Sequence, residues 1–236
     1  MLHHNGDCKT KSALFFASCV AAGKTGAGGG HRCGVTPSVG HGAKARNDFQ
    51  ASICRIMTDL PELPSAPLDE AALLAWLDAC GFDTVTTRHE ALFTVEQSQK
   101  LRGDLEGGHT KNLFLKDRKG NFFLLTAQED SDVPLKVLHR MIGGQGKFSF
   151  GSAEMMQELL GVTPGAVTAF GVINDRDGRL RFAIDKRLLE HDKINCHPLT
   201  NEATTTIARD DLLAFAKATG HDPLIVDLDD VPPPAN

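Results

Sequence analysis

Residues 109–127 read HTKNLFLKDRKGNFFLLTA. Two apolar runs rich in Leu and Phe flank DRKG (117–120), a polar stretch that ends in glycine. That pattern predicts two antiparallel strands joined by a turn. It constrains the rest of the chain, because a lone hairpin is at best marginally stable in water. The remaining residues must place more strands beside it and helices over it.

They contain both. DTVTTRH (83–89) is a β-branched strand, and KINCHPL (193–199), ATTTIA (203–208) and PLIVDL (223–228) are short strands. AVTAFGVIN (166–174) and RLRFAID (179–185) read as a second hairpin across DRDG. Leu68 to Cys80 predicts an amphipathic helix, with Leu73, Trp76, Leu77 and Cys80 on one face. Asp69 and Glu70 suit its N-terminus and Gly81 its C-terminus. Thr94 and Gln97 form a capping box for a short helix through Leu101. Further helices fall at 133–142, at 152–161 between Ser152 and Gly161, and at 209–220. No regular βαβ repeat is visible. The expected fold is therefore α+β, a mixed, largely antiparallel sheet flanked by helices.

Residues 1–56 differ from the rest. They hold nine glycines and no sustained periodicity, so they cannot bury enough apolar surface to offset ordering entropy. This segment is expected to be a disordered extension, or to lie ahead of a true start at Met57. The domain would then span 57–236, entered through the proline-rich PELPSAP (61–67). Two sharper readings fit less well. Lys9 and Lys11 before SALFFASCVAA (12–22) resemble a short signal peptide. SCVAAGKT (18–25) nearly matches a phosphate-binding P-loop, but Ser18 stands where the first glycine must be.

The chain has 236 residues and a formal charge of −5. That charge is unevenly spread. Residues 100–147 carry nine Lys/Arg against six acids, while 148–236 carry eight against fourteen. Such a chain can hold a short piece of nucleic acid but suits long nonspecific binding poorly. No apolar run approaches the ~18 residues of a membrane span. The six cysteines show no CxxC pair, so a zinc site or disulfide framework is not expected. There is no GxSxG elbow and no HExxH. The lack of Tyr and the single Trp argue against an RNA-stacking sheet of the RRM type.

Singly, the candidate site residues are weak. A strand lysine such as Lys111 reads as a solvated edge residue. Asn112 beside it is disfavoured in strands. His197, between Cys196 and Pro198, is the best-placed histidine. The loop GVTPGAV (161–167) can aim backbone N–H groups at an oxygen, although such loops are more often plain connections.

Together these segments carry more. GGHTKNLFLKDRKGNFFLLTA (107–127), GKFSFGSAEMMQELLGVTPGAVTAFGVIND (146–175) and CHPLTNEATTTI (196–207) resemble the ProX/YbaK family of aminoacyl-tRNA editing proteins in order and spacing. The resemblance runs from about Leu68 to Leu228, and TKNLFLKD points to its freestanding ProX branch. It implies a hydrolase that removes a mischarged amino acid from tRNA, with alanyl-tRNA for proline as the substrate. Cysteinyl-tRNA or another misacylated tRNA, and a catalytically silent relative, are the alternatives.

The resemblance assigns Lys111 to anchoring or polarising the ester. Asn112 and His197 would orient substrate or water. The loop Gly161, Val162, Thr163, Pro164, Gly165 and Ala166 would bind the substrate through its backbone. Water is the implied attacker, without metal or cofactor. The implied partners are the acceptor end of aminoacyl-tRNA and prolyl-tRNA synthetase, in the cytoplasm. The tRNA phosphates would meet Lys100, Arg102, Lys116, Arg118, Lys119, Lys136, Arg140 and Lys147.

Overall fold

A computed structural model describes residues 60–63, 67–90 and 105–233. The chain divides into two units, Met1–Gly40 and His41–Asn236, and every described residue belongs to the second. The 1–56 extension, Met57 and the capping-box helix at Thr94–Leu101 lie outside the described residues.

The first helix, α1 (Glu70–Ala79), starts where Asp69 accepts the Ala72 N–H at 2.9 Å. It ends at Cys80, with Gly81 at φ 76° beyond it. Leu73, Trp76 and Leu77 are its buried face, as their spacing predicts. Trp76 packs edge-on against Phe215 at 5.9 Å, which ties α1 to the last helix. Strand β1 (Thr84–Arg88) follows.

The hairpin is present as β2 (Gly108–Lys116) and β3 (Phe122–Gln128), paired antiparallel from Thr110↔Gln128 to Lys116↔Phe122. Asp117 organises its turn. Its buried carboxylate accepts the N–H groups of Lys119, Asn121 and Gln145 and the Asn121 side chain. Burial pushes this carboxyl up, but the hydrogen bonds win and hold it at about 2. The Gln145 bond also pins the segment that follows α2 (Leu135–Met141) to the hairpin tip.

That segment leads into the two-residue strand β4 (Ser149–Phe150) and then α3 (Ala153–Leu160). Ser152 caps α3, and Gly161 closes it in the left-handed region at φ 68°. A side chain at Gly161 would also run into Asn174, which is clamped between the backbones of Leu68 and Leu160.

The second expected hairpin does not exist. Ala169–Asn174 is a buried 3-10 helix capped by the Thr168 hydroxyl. Its partner stretch is β5 (Leu180–Asp185), which runs parallel to both β3 and β8 (Leu224–Val226). AFGVI is a run without a polar residue, so it has no period to separate strand from helix. A second 3-10 turn, Lys186–Glu190, leads to β6 (Lys193–Cys196), β7 (Ala203–Ala208) and α4 (Arg209–Ala218).

The sheet order is β1-β7-β6-β2-β3-β5-β8, with β4 also on β2. Among the described residues, four ladders are antiparallel and three parallel. One face carries α1, α3 and α4 around Phe114, Leu124, Phe170 and Phe215. The other carries α2 around Leu115, Phe123, Leu125 and Leu138. The α+β sheet flanked by helices is thus present. Among the described residues, no helix is long and apolar enough to cross a membrane.

Candidate active site

Strand β2 is central rather than an edge. One of its sides is paired with β3 from Thr110 to Lys116. Its other side changes partners, from β6 at Gly108–His109 to β4 at Leu115–Lys116. Lys111, Asn112 and Leu113 fall in the interval, where neither β6 nor β4 covers β2.

His197 comes to the same interval. The parallel β2·β6 ladder ends at His109↔Asn195. Two residues further along each chain stand Lys111 and His197. The Thr110 hydroxyl fixes this register by donating to the Asn195 carbonyl at 2.8 Å. The 161–166 loop reaches the turn after His197, where a Cβ on Gly165 would lie 3.8 Å from the Asn201 amide. Fold topology therefore gathers three sequence segments that are far apart in the chain.

Lys111 and Asn112 are neighbours, so they point to opposite faces of the sheet. Asn112 accepts a hydrogen bond at 2.6 Å from Thr126, its partner across the hairpin. Its amide N–H groups have no hydrogen-bond partner among the described residues and can face a ligand. The half-buried Lys111 ammonium donates to the Ser131 carbonyl. Ser131 is itself buried, and its hydroxyl donates to Asp185 at 2.6 Å. The fully buried Asp185 also accepts the backbone N–H groups of Gln128 and Arg187. The Arg187 guanidinium donates back to the Ser131 hydroxyl at 3.2 Å. Lys111 thus rests on a cross-linked support whose members the sequence reading missed. The available signal was Asp185, an acid ending an otherwise apolar strand.

His197 is mostly buried. Its Nδ1 lies 3.0 Å from the Ala203 carbonyl. A carbonyl can only accept, so Nδ1 carries the hydrogen and Nε2 of the neutral ring is an acceptor. Burial holds the His197 pKa below the ordinary histidine value, and the neighbouring His89 lowers it further. The two rings are 6.4 Å apart. His89 is oriented through both nitrogens, by the Glu90 carbonyl and the Thr204 hydroxyl at 2.9 Å each. It is a second histidine at the site that the sequence reading passed over.

Cys196 is no nucleophile. It is buried in the main core, and desolvation pushes its thiol up to about 12. The backbone donors of the loop are also fewer than six. The Gly161 N–H is bonded to Gln157 and the Ala166 N–H to Thr163, while Pro164 has none. Val162, Thr163 and Gly165 retain N–H groups without a hydrogen-bond partner among the described residues.

Lys116, Arg118 and Lys119 stand exposed at the hairpin tip, Lys147 in the segment pinned to it, and Lys136 and Arg140 on α2. Arg140 donates to the Pro233 carbonyl at 2.6 Å. Lys100 and Arg102 lie outside the described residues. Among the described residues, no three His, Cys, Asp or Glu side chains come together as a metal site.

The model of the aminoacyl-tRNA editing domain matches residues 89–215, from His89 into α4. The chain belongs to the aminoacyl-tRNA editing domain family. The mouse prolyl-tRNA synthetase associated domain-containing protein 1 is 39% identical over 157 residues, 65% of this chain and 92% of that one. The prolyl-tRNA editing protein ProX of Acetoanaerobium sticklandii is 34% identical over 151 residues, 64% of this chain and 92% of that one. A solved structure proposed to be a trans-editing enzyme for prolyl-tRNA synthetase superposes with a TM-score of 0.52 at 21% identity. It covers 69% of this chain and 98% of that one. The editing-domain match encloses Lys111, Asn112, the 161–166 loop and His197, and also the unforeseen His89, Ser131 and Asp185.

Proposed function

We propose that this editing-domain protein hydrolyses the ester linking a wrong amino acid to tRNA, with alanyl-tRNA for proline as the preferred substrate. The observation that carries the reading is that Lys111 and Asn112 lie where β6 and β4 leave β2 uncovered, with His197 two residues past the end of the β2·β6 ladder, inside the region that matches the editing family. ProX of A. sticklandii, a prolyl-tRNA editing protein by name, supports the choice of tRNA.

An aminoacyl ester is already activated, so placing a water and stabilising the tetrahedral oxyanion suffice. The N–H groups of Val162, Thr163 and Gly165 are the donors still open for that oxyanion. Lys111 keeps two N–H bonds beyond the one to Ser131 and holds a positive charge at the site. Neutral His197 offers Nε2 as an acceptor for a water or a ribose hydroxyl. The need for editing follows from a weak discrimination. A missing methylene is worth only ~1–3 kcal/mol to a synthetase pocket. A second site that admits the smaller product removes the errors.

The direct test charges tRNA for proline with Ala, Cys, Ser and Pro in turn and measures deacylation of each. Alanyl-tRNA should be cleared fastest and the prolyl form spared. Failure to hydrolyse any of the four would sink the reading, and a preference for the cysteinyl form would reassign the substrate.

The His197 environment makes a separate prediction. If neutral His197 is the working form, kcat/KM should hold steady as pH falls through the ordinary histidine range. It should drop only below that range, because the ring resists protonation. Replacing His89 with Asn removes a neighbour that lowers the His197 pKa, so the acid limb should move to higher pH. A pH–rate profile of the two proteins decides it, and an unmoved limb would disconnect His89 from His197.

A further inference from the structure

Phe150 is out of place for its residue type. Of the nine phenylalanines among the described residues, it alone is exposed, at 63%. The others are buried or half-buried. A single exposed apolar residue needs no explanation by itself. Three further observations give this one a direction.

The first is its place on the sheet. Phe150 pairs directly with Leu115 of β2, so it projects on the face that Leu115 and, four residues earlier, Lys111 share. At about 3.4 Å per strand residue, the ring stands roughly 14 Å along β2 from Lys111. The second is its fixed base. The Gly151 N–H bonds to the Phe114 carbonyl at 2.9 Å, and a Cβ at Gly151 would overlap the Phe114 ring. Phe148, two residues back on the same side, is packed on Phe123 at 4.8 Å. The ring is therefore held out on a rigid rim rather than on a loose loop.

The third is its electrostatic frame. Exposed Lys147 precedes it by three residues, while exposed Lys116, opposite Ser149, turns to the other face and lies over the Phe122 ring. Arg118 lies against Gly146 in the same segment. The acid of the hairpin, Asp117, is buried, and its carboxylate already accepts four hydrogen bonds. The exposed acid nearest along the chain is Glu154, in the first turn of α3. An exposed aromatic ring on a segment that carries exposed cations, with the nearby Asp117 carboxylate turned inward onto its own hydrogen bonds, fits a flat base attached to phosphates.

We infer that Phe150 is a stacking platform for an unpaired nucleobase of the tRNA acceptor end, with Arg118 and Lys147 meeting the flanking phosphates. This deepens the deacylase reading and rests on it for the identity of the RNA. With the terminal adenosine at Lys111, the span to Phe150 reaches a base roughly two to four nucleotides back, since stacked bases rise about 3.4 Å each.

Two arms test this. In the first, F150A is compared with the parent on misacylated tRNA and on an aminoacyl ester of adenosine alone. KM for the tRNA should rise roughly five- to hundred-fold with kcat unchanged. KM for the short ester should not change, and F150W should restore binding to tRNA while F150L should not. In the second, an uncharged RNA hairpin with an unpaired CCA end carries 2-aminopurine at each unpaired position in turn. The parent should quench one position and F150A should not. This arm needs no catalysis, so a protein that quenches but hydrolyses nothing would overturn the deacylase reading alone. Equal behaviour of F150A and parent in both arms would overturn the platform, as would an equal loss on the short ester. Unchanged RNA binding with lost binding to purified prolyl-tRNA synthetase would assign the ring to a protein interface instead.

Discussion

Replacing Lys111 with alanine should lower kcat/KM for misacylated tRNA by roughly a hundred-fold or more, the scale seen when one charge-stabilising donor is removed from an oxyanion site. The fold should survive. Lys111 is half-buried, and it gives up one hydrogen bond, to the Ser131 carbonyl. The net cost of such a bond is about 1 kcal/mol. Ser131 stays anchored by its hydroxyl bond to Asp185 and by Arg187. Urea melts beside deacylation assays separate the two effects. Lys111→Arg should not rescue, because a planar guanidinium cannot place its charge where the ammonium sits on Ser131. Near-normal turnover by the alanine variant would remove Lys111 from the chemistry.

His221→Ala should have the opposite profile, a large loss of stability from a residue outside the site. His221 and Asp175 form a pair whose side chains are only 2% and 1% exposed, with Nε2 and the carboxylate 3.0 Å apart. The other ring nitrogen faces the Thr219 carbonyl at 2.9 Å. Asp175 also accepts the N–H groups of Arg179 and Leu180. The pair therefore ties the end of α4 to the turn that starts β5.

Removing one partner of a buried pair leaves the other uncompensated, at a cost of about 3–5 kcal/mol. The pH dependence has a definite sign. Burial pushes the Asp175 carboxyl up, but bonds from His221, Leu180 and Arg179 outweigh it and hold the pKa below its ordinary value. A depressed folded pKa gives stability that is present above the unfolded value, about 3.9, and lost as pH falls through the folded one. Urea melts at pH 7 should show the full gap between parent and H221A. That gap should narrow as the pH falls below the unfolded carboxylate value, about 3.9, towards the lower folded one. A difference below about 1 kcal/mol at pH 7 would mean that the cavity refills or that water replaces the ring.

What the sequence disclosed tracks how local each interaction is. The β2–β3 hairpin was legible because its alternation and its turn chemistry lie within twenty residues. Asp69, Ser152 and Gly161 were legible as helix ends for the same reason. AFGVIN was not, since six consecutive buried residues look alike to any period and their conformation is set by what packs around them. The parallel partners of β5 were hidden because sheet neighbours are not sequence neighbours. Lys111 was expected at an edge, and it lies inside because β6 and β4 share one side of β2. Its site could be guessed by residue type alone. The meeting with His197 depends on a ladder pinned by a bond across 85 positions, from Thr110 to Asn195. Ser131 escaped notice because it acts through its backbone carbonyl, which no sequence pattern marks.

The pairing of β1 with β7 also has a cost in time. The hydroxyls of Thr86 and Thr205 meet at 2.8 Å although 119 positions separate them. During synthesis at about 5–20 residues per second, β1 waits roughly 6–24 s for its partner strand to be made. Throughout that interval its backbone N–H and C=O groups are bare, and an unpaired strand is a template for other chains. The hazard to the newborn protein is therefore set by the ribosome's pace between the two strands. Synonymous codons that slow decoding there would lengthen the exposure without altering a single residue of the finished sheet.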